Sequence, residues 1–368
     1  MPSPRSIARR AGIGFGKAPA KTGLAASVGS HPYLSGVVTS LVVLAVTAFV
    51  NHKLAAAAER RNPPTGKFLE VHGIRLHYIE EGAGEPLVFL HGNGSMIEDF
   101  ASSGLVELAS RTYRVIAFDR PGFGHSERPR SKIWTAQAQA ELIEAALKKI
   151  GVSKAIVLGH SWGCSVAVAL ALRSPKLVKG LVLASGYYFP SWRADVVTAS
   201  GPAIPLLGDA IRYTFAPLLA RLMWPLLTRK IFGPASVPKK FEVGFPKEMT
   251  FRPSQIRASS AESALMIPGA FVARAHYAEL KMPVAIIAGE EDRLISIDKQ
   301  SARLHSELPN STMHPVPGAG HMVHQTAPAA VMAAIEVAAS AGAARQGQRG
   351  KRPFNLSRPG RLAASSSN

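Results

Sequence analysis

One cysteine, Cys164, is all that this chain of 368 residues carries, so an internal disulfide is excluded. A lone thiol says little about redox compartment. Neither C-x-x-C nor H-E-x-x-H occurs, which argues against a structural zinc site. Acidic residues are scarce as well: 24 Asp and Glu face 43 Lys and Arg, for a net charge of +19. Nucleic-acid binders carry such an excess, so its position decides its meaning. Eight basic residues and one acid, Glu59, precede Asn62, and six basic residues with no acid follow Ala344. Most of the excess therefore sits at the two ends, and the long middle is only mildly basic. The ends suit contact with an anionic surface, or simple solvation, and no nucleic-acid partner is expected. With 47 % hydrophobic and 18 % charged residues, the middle can bury a large core. The chain shows no internal repeat.

Charge is missing altogether between Lys21 and Lys53. Inside that gap lies L-S-G-V-V-T-S-L-V-V-L-A-V-T-A-F-V, residues 34–50, a 17-residue run at the short end of what spans a bilayer as a helix. It reads as a single-pass signal-anchor in contact with membrane lipid, with Tyr33 at one interface and His52 and Lys53 at the other. A cleaved signal peptide is one rival, because residues 55–58 are four alanines. A buried helix is the other. Five Lys/Arg precede the run and four (Lys53, Arg60, Arg61, Lys67) follow closely. That bias favours an extracytoplasmic catalytic domain. Residues 1–33 are basic and expected to be disordered. Residues 51–66, ending in N-P-P-T-G, read as a linker to the domain boundary.

From residue 67 the pattern is αβ alternation. A hairpin, F-L-E-V-H-G-I-R-L-H-Y-I-E-E-G, opens it. The strands P-L-V-F-L and Y-R-V-I-A-F follow, with a helical stretch around 98–110 between them and a helix over 135–150 after them. Next come A-I-V-L and a helix beginning near Trp162, then V-K-G-L-V-L-A-S. Strands that are apolar throughout are buried on both faces, as in a parallel sheet flanked by helices. The alternation stops after residue 186. Residues 187–280 are rich in Pro, Trp, Phe, Met and Leu, with no strand pattern, and read as a helical cap. It resumes over 281–341 with M-P-V-A-I-I-A-G-E-E-D, a helix after Asp298, the strand S-T-M-H-P-V-P and a final helix. Residues 342–368 read as a basic disordered tail.

G-H-S-W-G places Ser161 between a strand and a helix, the context of a nucleophile elbow. A serine hydroxyl needs a base within hydrogen-bond reach, and the base needs an orienting acid. His321 in P-G-A-G-H-M follows a strand and is the candidate base. Asp292 in A-G-E-E-D-R follows another and is the candidate acid, with Glu290, Glu291 and Asp298 as rivals. His314 and His324 are rival histidines, the first inside a strand and the second turned away on a helix. Asp195 lies in the cap and out of position. The developing oxyanion needs fixed donors. The backbone N–H of Trp162 and that of Asn93 in H-G-N-G are the candidates. Cys164 reads as a small packed residue.

H-G-N-G, D-R-P-G-F-G-H-S, G-H-S-W-G, the G-x-x-D at Asp292 and the G-A-G-H at His321 together resemble the α/β-hydrolase superfamily, in the branch with a helical cap after the sixth strand. The resemblance covers about residues 68–341. It implies an eight-stranded, mostly parallel sheet with helices on both faces, and no metal or organic cofactor. Epoxide hydrolases and haloalkane dehalogenases share D-R-P-G-F-G-x-S but place aspartate at the elbow, so serine points to acyl-enzyme chemistry. The expected activity is hydrolysis of a small apolar carboxylic ester, lipid being one source. The alternatives are a carbon–carbon hydrolase acting on a dienoate, a cofactor-free perhydrolase, and a catalytically silent membrane-tethered binding protein. The sequence does not fix the oligomeric state.

Overall fold

The sheet forms where apolar runs go uninterrupted by polar residues. In the computed structural model, which describes residues 32–350, eight strands make one sheet. They are β1 (Lys67–Val71), β2 (Ile74–Glu81), β3 (Glu85–Leu90), β4 (Tyr113–Phe118), β5 (Ala155–His160), β6 (Val178–Ala184), β7 (Val284–Gly289) and β8 (Ser311–Val316). Their order is β1-β2-β4-β3-β5-β6-β7-β8. β2 runs antiparallel to both its neighbours, and every pair from β4 to β8 is parallel. The β1–β2 hairpin closes on His72 and Gly73, both at positive φ, as a two-residue turn of this kind requires.

The central strands alternate between two cores. Val88 and Leu90 of β3 pack into one, while Leu87 and Phe89 pack into the other. Each fully buried aliphatic or aromatic side chain contributes about 2 kcal/mol, so two-sided burial fixes the register.

The helices are α1 (Pro32–Arg61), α2 (Ile97–Ser103), α3 (Leu105–Ser110), α4 (Ala136–Lys149) and α5 (Trp162–Arg173). Between β6 and β7 follow α6 (Ala194–Ala199), α7 (Leu207–Tyr213), α8 (Phe215–Phe232), α9 (Lys239–Gly244), α10 (Lys247–Thr250) and α11 (Pro253–Ala273). After β7 come α12 (Arg303–Glu307), α13 (Val323–Thr326) and α14 (Pro328–Gly350). The segment between β6 and β7 contains no strand, as its composition predicts.

Three boundaries differ from the sequence reading. The stretch expected near 98–110 is two helices, because Gly104 adopts φ +80 and breaks the ladder. The expected linker 51–66 shrinks to its last residues, since α1 continues through A-A-A-A-E-R-R, all good helix formers. The last helix runs to Gly350, past residue 341. The basic segment up to residue 31 and the tail from residue 351 lie outside the described residues.

Two compact units divide the chain, one ending at Thr47 and the other beginning at Ala48. Among the described residues, α1 alone is long and apolar enough to cross a membrane. Within the second unit the end of α1 is tied down. Ala58 is buried, the Asn51 amide donates to the carbonyls of Tyr213 and Thr214, and Arg252 donates to Glu59 at 2.8 Å.

Candidate active site

The strand–turn–helix at Ser161 has the geometry its glycines allow. Ser161 sits at φ 52, ψ −118, a conformation costly for a residue with a Cβ. A Cβ on Gly163 would lie 2.0 Å from the Leu90 carbonyl oxygen, and one on Gly159 would lie 2.5 Å from the backbone of Gly163. Only glycine lets the elbow approach β3 this closely. Below it, the buried Cys164 thiol donates to the Gly159 carbonyl, and burial pushes its pKa up to about 12. It is a packing residue, as read from the sequence.

Three strand ends bring the triad together. His321 Nε2 lies 3.0 Å from Ser161 Oγ, and His321 Nδ1 lies 2.8 Å from Asp292 Oδ2. Asp292 follows β7, and His321 lies between β8 and α13. The other oxygen of Asp292 accepts from the amides of Leu294 and Ile295 at 2.8 and 2.9 Å. Burial alone would raise this carboxyl, but His321 and the two amides hold it below its ordinary value. Asp292 is therefore ionised at neutral pH, with one oxygen aimed at Nδ1–H. That leaves Nε2 unprotonated and facing the serine. Glu290, Glu291 and Asp298 are exposed, which removes them as orienting acids. His314 lies inside β8, paired with Thr312, and Asp195 is held by Arg193 in the cap.

The loop after β3 is fixed by groups whose role the sequence did not disclose. His91 is fully buried, and burial together with Arg120 lowers its pKa to about 3. Its neutral ring donates from Nδ1 to the Gly92 carbonyl and accepts at Nε2 from the Arg120 amide. The Arg120 side chain donates to the carbonyls of His91 and Gly92 at 2.7 and 2.8 Å. The same guanidinium forms a bidentate pair with Glu262 of α11, both side chains fully buried. Asn93 Nδ2 reaches Ser259 and Ser263 on that helix at 3.2 Å. The cap's longest helix thus holds the loop carrying Asn93. Trp162 begins α5, so its N–H is one of the amides with no helical acceptor, and neither it nor the Asn93 N–H donates to a backbone carbonyl.

A second polar cluster lies behind the triad. Asp99, His160 and His324 bring potential metal-ligand atoms within 4.8 Å of one another, all buried. Asp99 already accepts from Ser95 and Gln325 and lies 3.0 Å from His324 Nε2. His160 Nε2 donates to the His321 carbonyl at 3.1 Å. With its oxygens so engaged, the cluster reads as a brace for the histidine loop. The Asp119 carboxylate plays a similar part in D-R-P-G-F-G-H-S: it holds His77 and the amides of Ile97 and His125.

Above Ser161 is a cavity of about 360 Å³. Asn93, His160 and His321 line its floor; Val196, Trp224, Leu227, Ile231, Phe241, Phe245 and Met266 line its walls. Arg193 also lines it but is bound to Asp195 through two hydrogen bonds.

Comparison with known proteins places these features in a family. The sequence pattern of a family described as alpha/beta hydrolase fold matches residues 85–328. A 2-hydroxymuconate semialdehyde hydrolase of Pseudomonas sp. (strain CF600) is 36% identical over 137 residues, 36% of this chain and 48% of that protein. Haloalkane dehalogenase 2 of Mycobacterium tuberculosis (strain ATCC 25618 / H37Rv) is 24% identical over 273 residues, 71% of this chain and 90% of that one. The crystal structure of the enol-lactonase from Burkholderia xenovorans LB400 superposes with a TM-score of 0.62 at 19% identity, covering 74% of this chain and 99% of that one.

Proposed function

The chain belongs to the α/β-hydrolase family, and from that premise we propose that it hydrolyses an apolar carboxylic ester through an acyl-enzyme on Ser161. The observation that carries the proposal is the chain of contacts Ser161–His321–Asp292 at 3.0 and 2.8 Å. His321 Nε2 takes the Ser161 proton as Oγ attacks the ester carbonyl. The negative oxygen that develops is held by the amides of Asn93 and Trp162. His321 then protonates the departing alkoxide, and water, activated by the same ring, releases the acid. Asp292 stays ionised throughout and stabilises the imidazolium.

Two activities of the relatives are weighed by chemistry. Displacing a halide from an alkyl carbon by Ser161 would leave an ether, which water does not cleave, so the dehalogenase reaction does not suit this nucleophile. A carbon–carbon hydrolase of a dienoate must hold a carboxylate, which calls for a free cation. Among the described residues, Arg193 is the only Lys or Arg lining the cavity, and Asp195 occupies it. An apolar wall favours an apolar acyl group.

We also propose that α1 is a retained membrane anchor. Cleavage at residues 55–58 would strip away Asn51 with its two hydrogen bonds to the cap, and would open the chain at Ala58, which is buried. The charge distribution favours the catalytic domain on the extracytoplasmic side.

The test is labelling by a fluorophosphonate probe and hydrolysis of short p-nitrophenyl esters. Wild type is expected to react and Ser161→Ala to lose both activities. Folded wild type that is never labelled would sink the proposal.

A further inference from the structure

Helix α8 is built with two apolar faces. One carries Trp224, Leu227 and Ile231 into the cavity above Ser161. The other carries Phe215, Leu218, Leu219, Leu222 and Leu226 and is exposed, Leu222 to 75%. These positions recur at i, i+3, i+4, i+7 and i+11, a single stripe. From Phe215 to Leu227 the one charged side chain is Arg221, and it pairs with Glu248 at 3.4 Å. At the start of α7, Leu206 and Leu207 are exposed too, Leu206 to 85% and at φ +65. Holding a leucine in that conformation costs energy that no packing of its side chain offsets. An exposed apolar stripe of this kind marks an interaction site.

The place of the surface in the chain names its partner. The apolar run of α1 ends at Val50. The next residue, Asn51, donates to the carbonyls of Tyr213 and Thr214, the junction of α7 and α8. The point where the run ends is therefore fixed to the point where the exposed stripe begins. We propose that this stripe, with Leu206 and Leu207, docks on the lipid bilayer that holds α1, so that the cavity above Ser161 takes its acyl ester from the lipid phase. This rests on the retained anchor and on the ester reaction proposed above. Lys53, Arg60 and Arg61 follow the run in sequence and Arg229 and Lys230 close α8, so cations lie near both apolar stretches along the chain, as suits an anionic membrane surface. The substrate class that follows is a long-chain acyl ester dissolved in membrane. One that is soluble in water would gain nothing from docking on the bilayer.

The sole native cysteine is buried, so a cysteine introduced at Leu222 accepts a nitroxide label alone. Full-length L222C is reconstituted in vesicles of phosphatidylcholine with about one quarter phosphatidylglycerol, which supplies the anionic surface. E107C, at an exposed position on α3, serves as the control. The label at 222 is expected to be more accessible to oxygen than to a water-soluble nickel chelate, and the control label the reverse. A label at 222 as open to nickel as the control overturns the proposal. So does spin–spin broadening that grows with protein density, because a second copy would then cover the stripe. In parallel, L218D/L222D is expected to keep the wild-type rate on a short soluble p-nitrophenyl ester and to lose about tenfold on a long-chain ester presented in vesicles. Equal rates on both substrates overturn the docking. If wild type cleaves neither ester, the ester reaction fails, and the label at 222 still decides where the stripe lies.

Discussion

Replacing Asp292 by Asn removes a charge and keeps the shape, and the hydrogen bonds around it dictate the outcome. Oδ1 accepts from two amides, Leu294 and Ile295, and Oδ2 accepts from His321 Nδ1–H. Asparagine has one carbonyl oxygen. If that oxygen faces the two amides, the side-chain NH2 faces Nδ1, which must then accept. The ring proton moves to Nε2, which faces Ser161 Oγ and can no longer take its proton. The flipped amide keeps the productive ring but sets NH2 against two N–H donors. Two lost acceptors at about 1–2 kcal/mol each put that arrangement about 2–4 kcal/mol higher. The inactive tautomer therefore dominates by about 30- to 1000-fold. Loss of the carboxylate beside the imidazolium adds to this, for a combined rate loss of about 10³–10⁴. The assay is the second-order rate of fluorophosphonate labelling, with thermal melting to show that the variant is folded. Glu291→Gln, at an exposed site, is the control and should keep the wild-type rate. A folded D292N within tenfold of wild type would refute the tautomer argument, and a loss confined to E291Q would name a different acid.

Two further outcomes follow from buried charge. Burial, reinforced by Asp119, pushes the Glu98 carboxyl up from 4.5 to about 7. Between those pH values the unfolded chain has released the proton and the folded chain retains it, so stability falls as pH rises, by about 3 kcal/mol in all. Glu98→Gln should abolish that slope and make the protein the more stable one at pH 8, as read from urea midpoints at pH 5 and pH 8; parallel slopes would refute the assignment. Glu262→Leu leaves Arg120 buried without its partner and should cost about 3–5 kcal/mol in urea unfolding, with Glu262→Gln costing less. Equal stability of E262L and wild type would show that the pair does not hold the cap to the loop after β3.

The parts legible in the sequence are those with local signals. β3, β4, β5 and β7 are apolar because both faces are buried, and such runs need no partner to be recognised. Ser161, Asp292 and His321 each follow a strand, so the alternation that located the strands located them too. The parts that were not legible depend on contacts remote in sequence. Glu262 lies 142 residues from Arg120, and nothing near either residue announces the pair. Asn51 looks like the first residue after an apolar run until Tyr213 and Thr214 supply its acceptors. The extension of α1 to Arg61 was open to inspection in A-A-A-A-E-R-R, but N-P-P-T-G beyond it drew the boundary too early.

The separation of Ser161 from His321 has a consequence for how the molecule comes into being. The two residues are 160 positions apart, with the whole cap between them. During synthesis the nucleophile emerges on β5 long before its base has been translated. Under the proposed mechanism, a nascent chain that stops short of His321 lacks the base for Ser161, however much of the sheet it has assembled. The strand that carries the serine is therefore made well before the loop that carries its proposed base. Any turnover on Ser161 by the proposed route would then require synthesis past that loop.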